Sequence, residues 1–349
     1  MKKGYFHRVT AQTPTRFWIN NVTEKEADLA IEAGAVGCTQ NPSYVYKMLI
    51  HEQEKAKAHE KLDVILKNEE DDNTVQEVLQ REFVGAIARK FLPLWKASKG
   101  RYGYVSIQGN PFKEDVENIL KNARYNREAG LNIMAKVPAT KDGLEAIEVL
   151  IAEGVPINAT EVMGVRQALD VCDVYDKVAA KMDNPPIVYF SHITGIYDEY
   201  LKKQVTSSGI EVNRDALWQA GMIIARKVRR LVSARNSNVG FIGGGARGLH
   251  HFTEMVGADC AITINWKGTA EELIKQDLPV VDRFHVSTSD SVLDELLEKV
   301  DEFSRGWKIN GLVPDEYEEF GPVVLFRESF EESWRKALGL IKKRREISY

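Results

Sequence analysis

Eight short apolar runs, each followed by a longer stretch of helical periodicity, recur along the whole 349-residue chain. RFWI (16–19), AVGCT (35–39), GYVSI (103–107), NIMAK (132–136), PINAT (156–160), IVYFS (187–191), NVGFI (238–242) and CAITI (260–264) read as strands. Segments such as EKEADLAIEAG and DGLEAIEVLIAEG lie between them, with acids near the start and glycine at the end, as helices have. No Pro/Gly/Ser-rich linker divides the series. The expected fold is therefore α/β: one (β/α)8 TIM barrel spanning residues 1–349. The excess over the ~250 residues typical of that fold falls in two places. Residues 50–102 read as a helical insertion between strands 2 and 3, and 303–349 as a C-terminal helical extension ending in the amphipathic FRESFEESWRKALGLIKKRR.

In such a barrel the loops after the strands converge on one face, so polar residues at strand ends are the candidates for chemistry. They are Asn20, Thr39, Asn41, Gln108, Lys136, Asn158, Thr160, Ser191, His192 and Asn265. The seventh strand instead runs into GGGARG (243–248), whose backbone N–H groups and Arg247 could meet an anion. Lys136 allows two readings. Its methylenes could be buried while the ammonium reaches water, or apolar neighbours could lower the amine pKa and make it a nucleophile for carbonyl compounds.

Composition narrows the partners. Lys plus Arg number 47 against 51 Asp plus Glu, a formal charge of −4 with no long block of either sign, so nucleic acid and membrane surfaces are not expected partners. Cys38, Cys172 and Cys260 form no CxxC pair, which argues against a disulfide framework and a zinc knuckle; no metal and no cofactor is expected. No apolar stretch approaches a membrane span, the start lacks a signal-peptide core, and a cytoplasmic setting is expected. Gly243, Gly245 and Gly248 also spell GxGxxG, but the acid expected ~20 residues on is missing: the nearby strand end carries Asn265.

Taken together, KVPATKDGLEAIEVLIAEGVPINAT (136–160), TQNP (39–42), GYVSIQGNP (103–111) and FEESW (330–334) resemble the transaldolase family, class I Schiff-base aldolases of carbohydrate metabolism. The resemblance implies Lys136 as the Schiff-base lysine and Thr160 as holder of a catalytic water. It implies a ketose or dihydroxyacetone-type donor, sugar or sugar phosphate, bound through Thr39, Asn41, Asn158, Ser191, Gly245 and Arg247. A homo-oligomer is also expected. Four departures stand out. WINN puts Asn20 where the family has a proton-shuttling aspartate, and Gln108 matches the fructose-6-phosphate aldolase branch rather than the glutamate of most transaldolases. In SHITGI, Ile193 stands in place of that branch's tyrosine and Ile196 in place of a phosphate-binding arginine. His192 is the candidate to restore acid/base chemistry, since its ordinary pKa of ~6.5 suits proton transfer. Glu161 is expected to leave the site, because neighbours on a strand point to opposite faces. The alternative to an aldolase is a catalytically retired barrel that still binds sugar phosphate.

Overall fold

The computed structural model describes residues 4–348. All eight apolar runs are strands: β1 Arg16–Asn20, β2 Ala35–Thr39, β3 Tyr104–Gln108, β4 Ile133–Pro138, β5 Ile157–Val162, β6 Val188–His192, β7 Gly240–Gly243 and β8 Ala261–Asn265. They close into one parallel barrel in sequence order, with β8 paired back onto β1. Helices alternate with the strands. Several follow their capping chemistry: Thr23, with Glu26, forms a capping box on Glu24–Ala33, and that helix ends at Gly34 with φ +106°.

Alternation along each strand divides the core into two parts. Outward side chains join the surrounding helices in the main apolar core. Inward side chains at the lower end of the barrel form a separate plug of Trp18, Tyr104, Met134, Ile242 and Ala261, with Tyr189 against it. Space for it comes from Gly37 on β2, where a Cβ would stand 2.3 Å from Trp18 Cε2. Gly240 on β7 makes the same allowance for Tyr189, again at 2.3 Å. Above the plug the inward positions turn polar. Ser106, Asn158 and Ser191 form a buried layer, with Ser191 Oγ donating to Asn158 Oδ1 at 2.8 Å and Asn158 Nδ2 donating to Ser106 Oγ at 3.3 Å.

The 50–102 region carries the helices Lys55–Leu66 and Asp72–Ala97, and the chain ends in the helix Gly321–Ser348. These two additions hold each other. Arg344 grips Asp63 with two hydrogen bonds of 2.6 and 2.7 Å, Arg345 reaches Asp72, and the buried Trp334 donates from Nε1 to Asn73 at 3.2 Å. Phe326 and Phe330 consequently face the carboxyl ends of the strands.

Gly37→Ala would drive a methyl into the Trp18 ring. Overpacking of this kind costs about 1–3 kcal/mol, so the urea midpoint is expected to fall while the slope of the transition is unchanged.

Candidate active site

A cavity of about 240 Å³ opens at the carboxyl ends of the strands, lined by Asn20, Thr39, Asn41, Lys136, Thr160, Ser191, Gly245 and Arg247 from the barrel and by Phe326, Ser329, Phe330 and Ser333 from the C-terminal helix. Strand register explains the convergence. Lys136 is level with Gln108 on β3 and Asn158 on β5, and Asn20 is level with Thr39 and Asn265.

Lys136 lies inside this ring, 6% exposed. Its Nζ donates a short hydrogen bond to Asn41 Oδ1 and sits 5.5 Å from the centroid of Phe330. Burial pulls its pKa down to about 8, against the opposing pull of Glu161 and Glu114. Asn41 is itself fixed by the turn after β2, where its N–H donates to Asn21 Oδ1 at 2.9 Å. Asn20 is engaged at both ends of its amide. Its Nδ2 donates to Asn265 Oδ1 at 2.9 Å, while its Oδ1 accepts from Thr39 at 2.8 Å and from Asn41 at 3.4 Å. Thr39 also meets Thr263 at 2.8 Å, so an unbroken hydrogen-bonded chain runs from β8 through β1 and β2 to the lysine.

Gln108 and Asn158 lie beside this cavity rather than in its lining. Gln108 borders a smaller neighbouring hollow that also touches Lys136, and Asn158 is buried in the polar layer below.

His192 departs from expectation. Ser191 turns inward to Asn158, so its neighbour His192 turns outward, fully buried and stacked on Phe241 at 6.1 Å with planes 16° apart. The ring lies against the Met163 backbone, with no side-chain partner at either nitrogen among the described residues. Burial lowers its pKa to about 4. The ring does not line the cavity, and this placement does not suit proton transfer at Lys136.

Glu161 departs in the other direction. The register of β5 on β6 breaks between Ala159 and Val162, and Glu161 has φ +62°. Alternation fails there. The side chain is fully buried, and its Oε1 accepts from Gln108 Nε2 at 3.0 Å.

The glycine loop is more committed than its sequence suggests. The N–H of Gly244 donates to the His192 carbonyl at 2.9 Å and that of Arg247 to His251 Nδ1 at 3.2 Å. Arg247 Nε pairs with Glu199 Oε2 at 2.8 Å, and Ile196 packs buried nearby with its side chain 3.2 Å from where a Cβ on Gly245 would stand.

Asp198, His250 and His251 are the one group of three potential ligands among the described residues. Their hydrogen bonds oppose a cation. Because His251 Nδ1 accepts from Arg247, its Nε2 must carry the proton shared with Asp198 Oδ2 at 2.8 Å. A metal on Nε2 would place a ring N–H against a backbone N–H. Asp198 Oδ1 also accepts from Gly221 N at 2.6 Å, so the group ties the loop after β7 to the two preceding helices.

Among known proteins, the chain matches the family described as Transaldolase/Fructose-6-phosphate aldolase over residues 17–311. It belongs to that family. A transaldolase of Trichodesmium erythraeum (strain IMS101) is 31% identical over 144 residues, covering 36% of this chain and 38% of that protein. Transaldolases of Saccharopolyspora erythraea and Thiobacillus denitrificans are 29% and 28% identical over 167 residues, each covering 45% of this chain and 44% and 46% of their own lengths. The matched region thus spans less than half the length of these curated relatives. Among the described residues no helix is long and apolar enough to cross a membrane.

Phe326, Ser329, Phe330 and Ser333 escaped the sequence reading as site residues, although their i, i+3, i+4, i+7 spacing is a visible signal of one helix face.

Lys136 should react with a small acylating reagent as a group of pKa about 8. The neutral amine is the reactive form, so labelling is expected to rise with pH, reach half its limit near that value and then level off, while surface lysines keep gaining toward their ordinary ~10.4. Peptide mass spectrometry across pH 6–11 reads both.

Proposed function

We propose that this family member is a class I aldolase that forms a Schiff base between Lys136 and a ketose or dihydroxyacetone-type donor, making or breaking a C–C bond in a sugar or sugar phosphate. The observation that carries the reading is a single buried amine, lowered toward neutrality and ringed by amides and hydroxyls at the carboxyl ends of the strands. Neutral Lys136 attacks the donor carbonyl. Asn41 aims the amine, Ser191, backed by Asn158, is positioned for donor hydroxyls, and the Thr160 hydroxyl can hold the water of imine hydrolysis. Phe330 shields the nitrogen from the open side, and its ring face favours the cationic iminium.

C–C cleavage also needs a base for the donor's C4 hydroxyl, and the Asn20 amide cannot accept that proton. Asn20 is bonded on both ends as an amide. That observation favours a second reading, a pocket that binds sugar phosphates without turning them over. Borohydride trapping separates the two. With dihydroxyacetone present, reduction is expected to add the donor's mass to the Lys136 peptide, and Lys136→Met to abolish the adduct. An unlabelled wild-type protein that still binds the sugars would leave the binding reading in possession.

Phosphate recognition depends on Arg247, which is half-exposed and held by Glu199. A single charge-assisted contact is worth about 1.5–3 kcal/mol. Arg247→Ala is therefore expected to erase most of any preference for phosphorylated over dephosphorylated donors, and Glu199→Gln to strengthen it, as read by calorimetric titration with both ligand forms.

A further inference from the structure

Glu161 is the next-to-last residue of β5, fully buried, in a backbone conformation that L side chains avoid. Strain of this kind gathers at functional sites, where the surrounding structure enforces it. Its effect is geometric. The left-handed residue brings the carboxylate to Gln108 on β3. Since β4 lies between β3 and β5, and Gln108 is the register partner of Lys136, this hydrogen bond spans the strand that carries the lysine. Gln108 Nε2 also donates to Glu114 Oε1 at 3.1 Å, so one amide is shared by two carboxylates. Those same two carboxylates are the charges that act on the Lys136 amine. Glu161 Oε2 and the adjoining Thr160 Oγ1 are both buried without a hydrogen-bond partner among the described residues.

We propose that Glu161 supplies and recovers the proton when Lys136 forms and hydrolyses its imine, working through a water on the Thr160 hydroxyl. The inference rests on the Schiff-base reading above. The amine adds to the donor carbonyl: the C–N bond forms, the π pair moves to oxygen, and one amine proton follows it to give a neutral carbinolamine. The carboxylic acid of Glu161 then protonates that hydroxyl by way of the Thr160-bound water. The C–O bond breaks, water departs, and the nitrogen lone pair closes the C=N bond. Ketone, amine and carboxylic acid have become iminium, water and carboxylate, and hydrolysis runs the same steps backward. The cation is thus created together with its counter-charge, which matters where an unpaired buried charge is costly. Neither Gln108 nor Asn20 has a titratable proton to offer.

Burial favours the protonated form of Glu161, and Glu114, the other carboxylate on Gln108, is pushed up by burial and by Glu161. Lys136, Arg327 and Glu318 are the remaining charged groups facing Glu161. Lys136 and Arg327 pull the carboxyl down and Glu318 raises it.

The test is the rate at which borohydride traps dihydroxyacetone on Lys136 in the full-length protein. Glu161→Gln is expected to slow trapping roughly 100-fold or more, the usual range for a general acid, with the donor concentration for half-maximal rate little changed. Glu161→Gly removes the carboxylate at a backbone conformation glycine accepts freely, which guards against a folding failure. It should show the same loss, partly restored by formate. The wild-type rate should decline as pH rises through the Glu161 carboxyl, a limb missing from both variants. Wild-type speed in Glu161→Gly overturns the proposal alone. So does a loss that formate does not relieve and that leaves the pH limb in place, or a loss confined to Glu114→Gln. Failure of the wild-type protein to label removes the Schiff-base reading and this inference with it.

Discussion

The barrel interior has room for one side chain per inward strand position, and most of those positions are either packed or hydrogen-bonded, the Thr160 hydroxyl being left without a partner among the described residues. Trp18 and its neighbours meet the first demand in the lower half, at the cost of glycine at 37 and 240. The upper half meets the second. Ser106, Asn158 and Ser191 satisfy one another, and Asn265, Asn20, Thr39 and Asn41 form a chain that ends on the Lys136 ammonium. Lys136 itself is buried, 6% exposed, so the amine is poorly solvated. That is the physical origin of its lowered pKa.

The C-terminal helix completes this environment from above. It is anchored far from the cavity, by Arg344 and Arg345 on the helices of the 50–102 region, and it delivers Phe330 to the neighbourhood of Nζ. Segments that look like additions to a minimal barrel therefore help to exclude solvent from the lysine. The loop after β7 is fixed in a comparable way, through His251 and Asp198, and its arginine is neutralised by Glu199.

Family membership and the residues of this chain pull in different directions on catalysis. The lysine, the threonine and the surrounding amides fit imine chemistry, whereas Asn20 and Ile196 remove a base and an anion contact that the resemblance implies. Placing a carboxylate at Glu161 offers acid chemistry from a different strand. In the proposed role it would serve imine formation and hydrolysis, and it leaves C–C cleavage without the aspartate.

Much of this was legible in the residues alone. All eight strands fall within two residues of the apolar runs at each end, because a short continuous apolar run and β-rich composition are local properties. Lys136 could be singled out because strand ends in this fold converge. Parity along β6 also makes Ser191 and His192 face opposite ways, a local property of any strand. Glu161 was different. Alternation fails there, since a left-handed residue resets it, with Gln108 on β3 holding the carboxylate and Gln167, six residues on, holding the carbonyl. Tertiary structure likewise decided that Arg247 would be claimed by Glu199 and that the tail would cover the lysine. The sequence by itself determined which strands form and which polar groups arrive at their ends. Hydrogen-bond partners, desolvation and the covering helix depend on residues tens to hundreds of positions apart, and those only the closed barrel brought together.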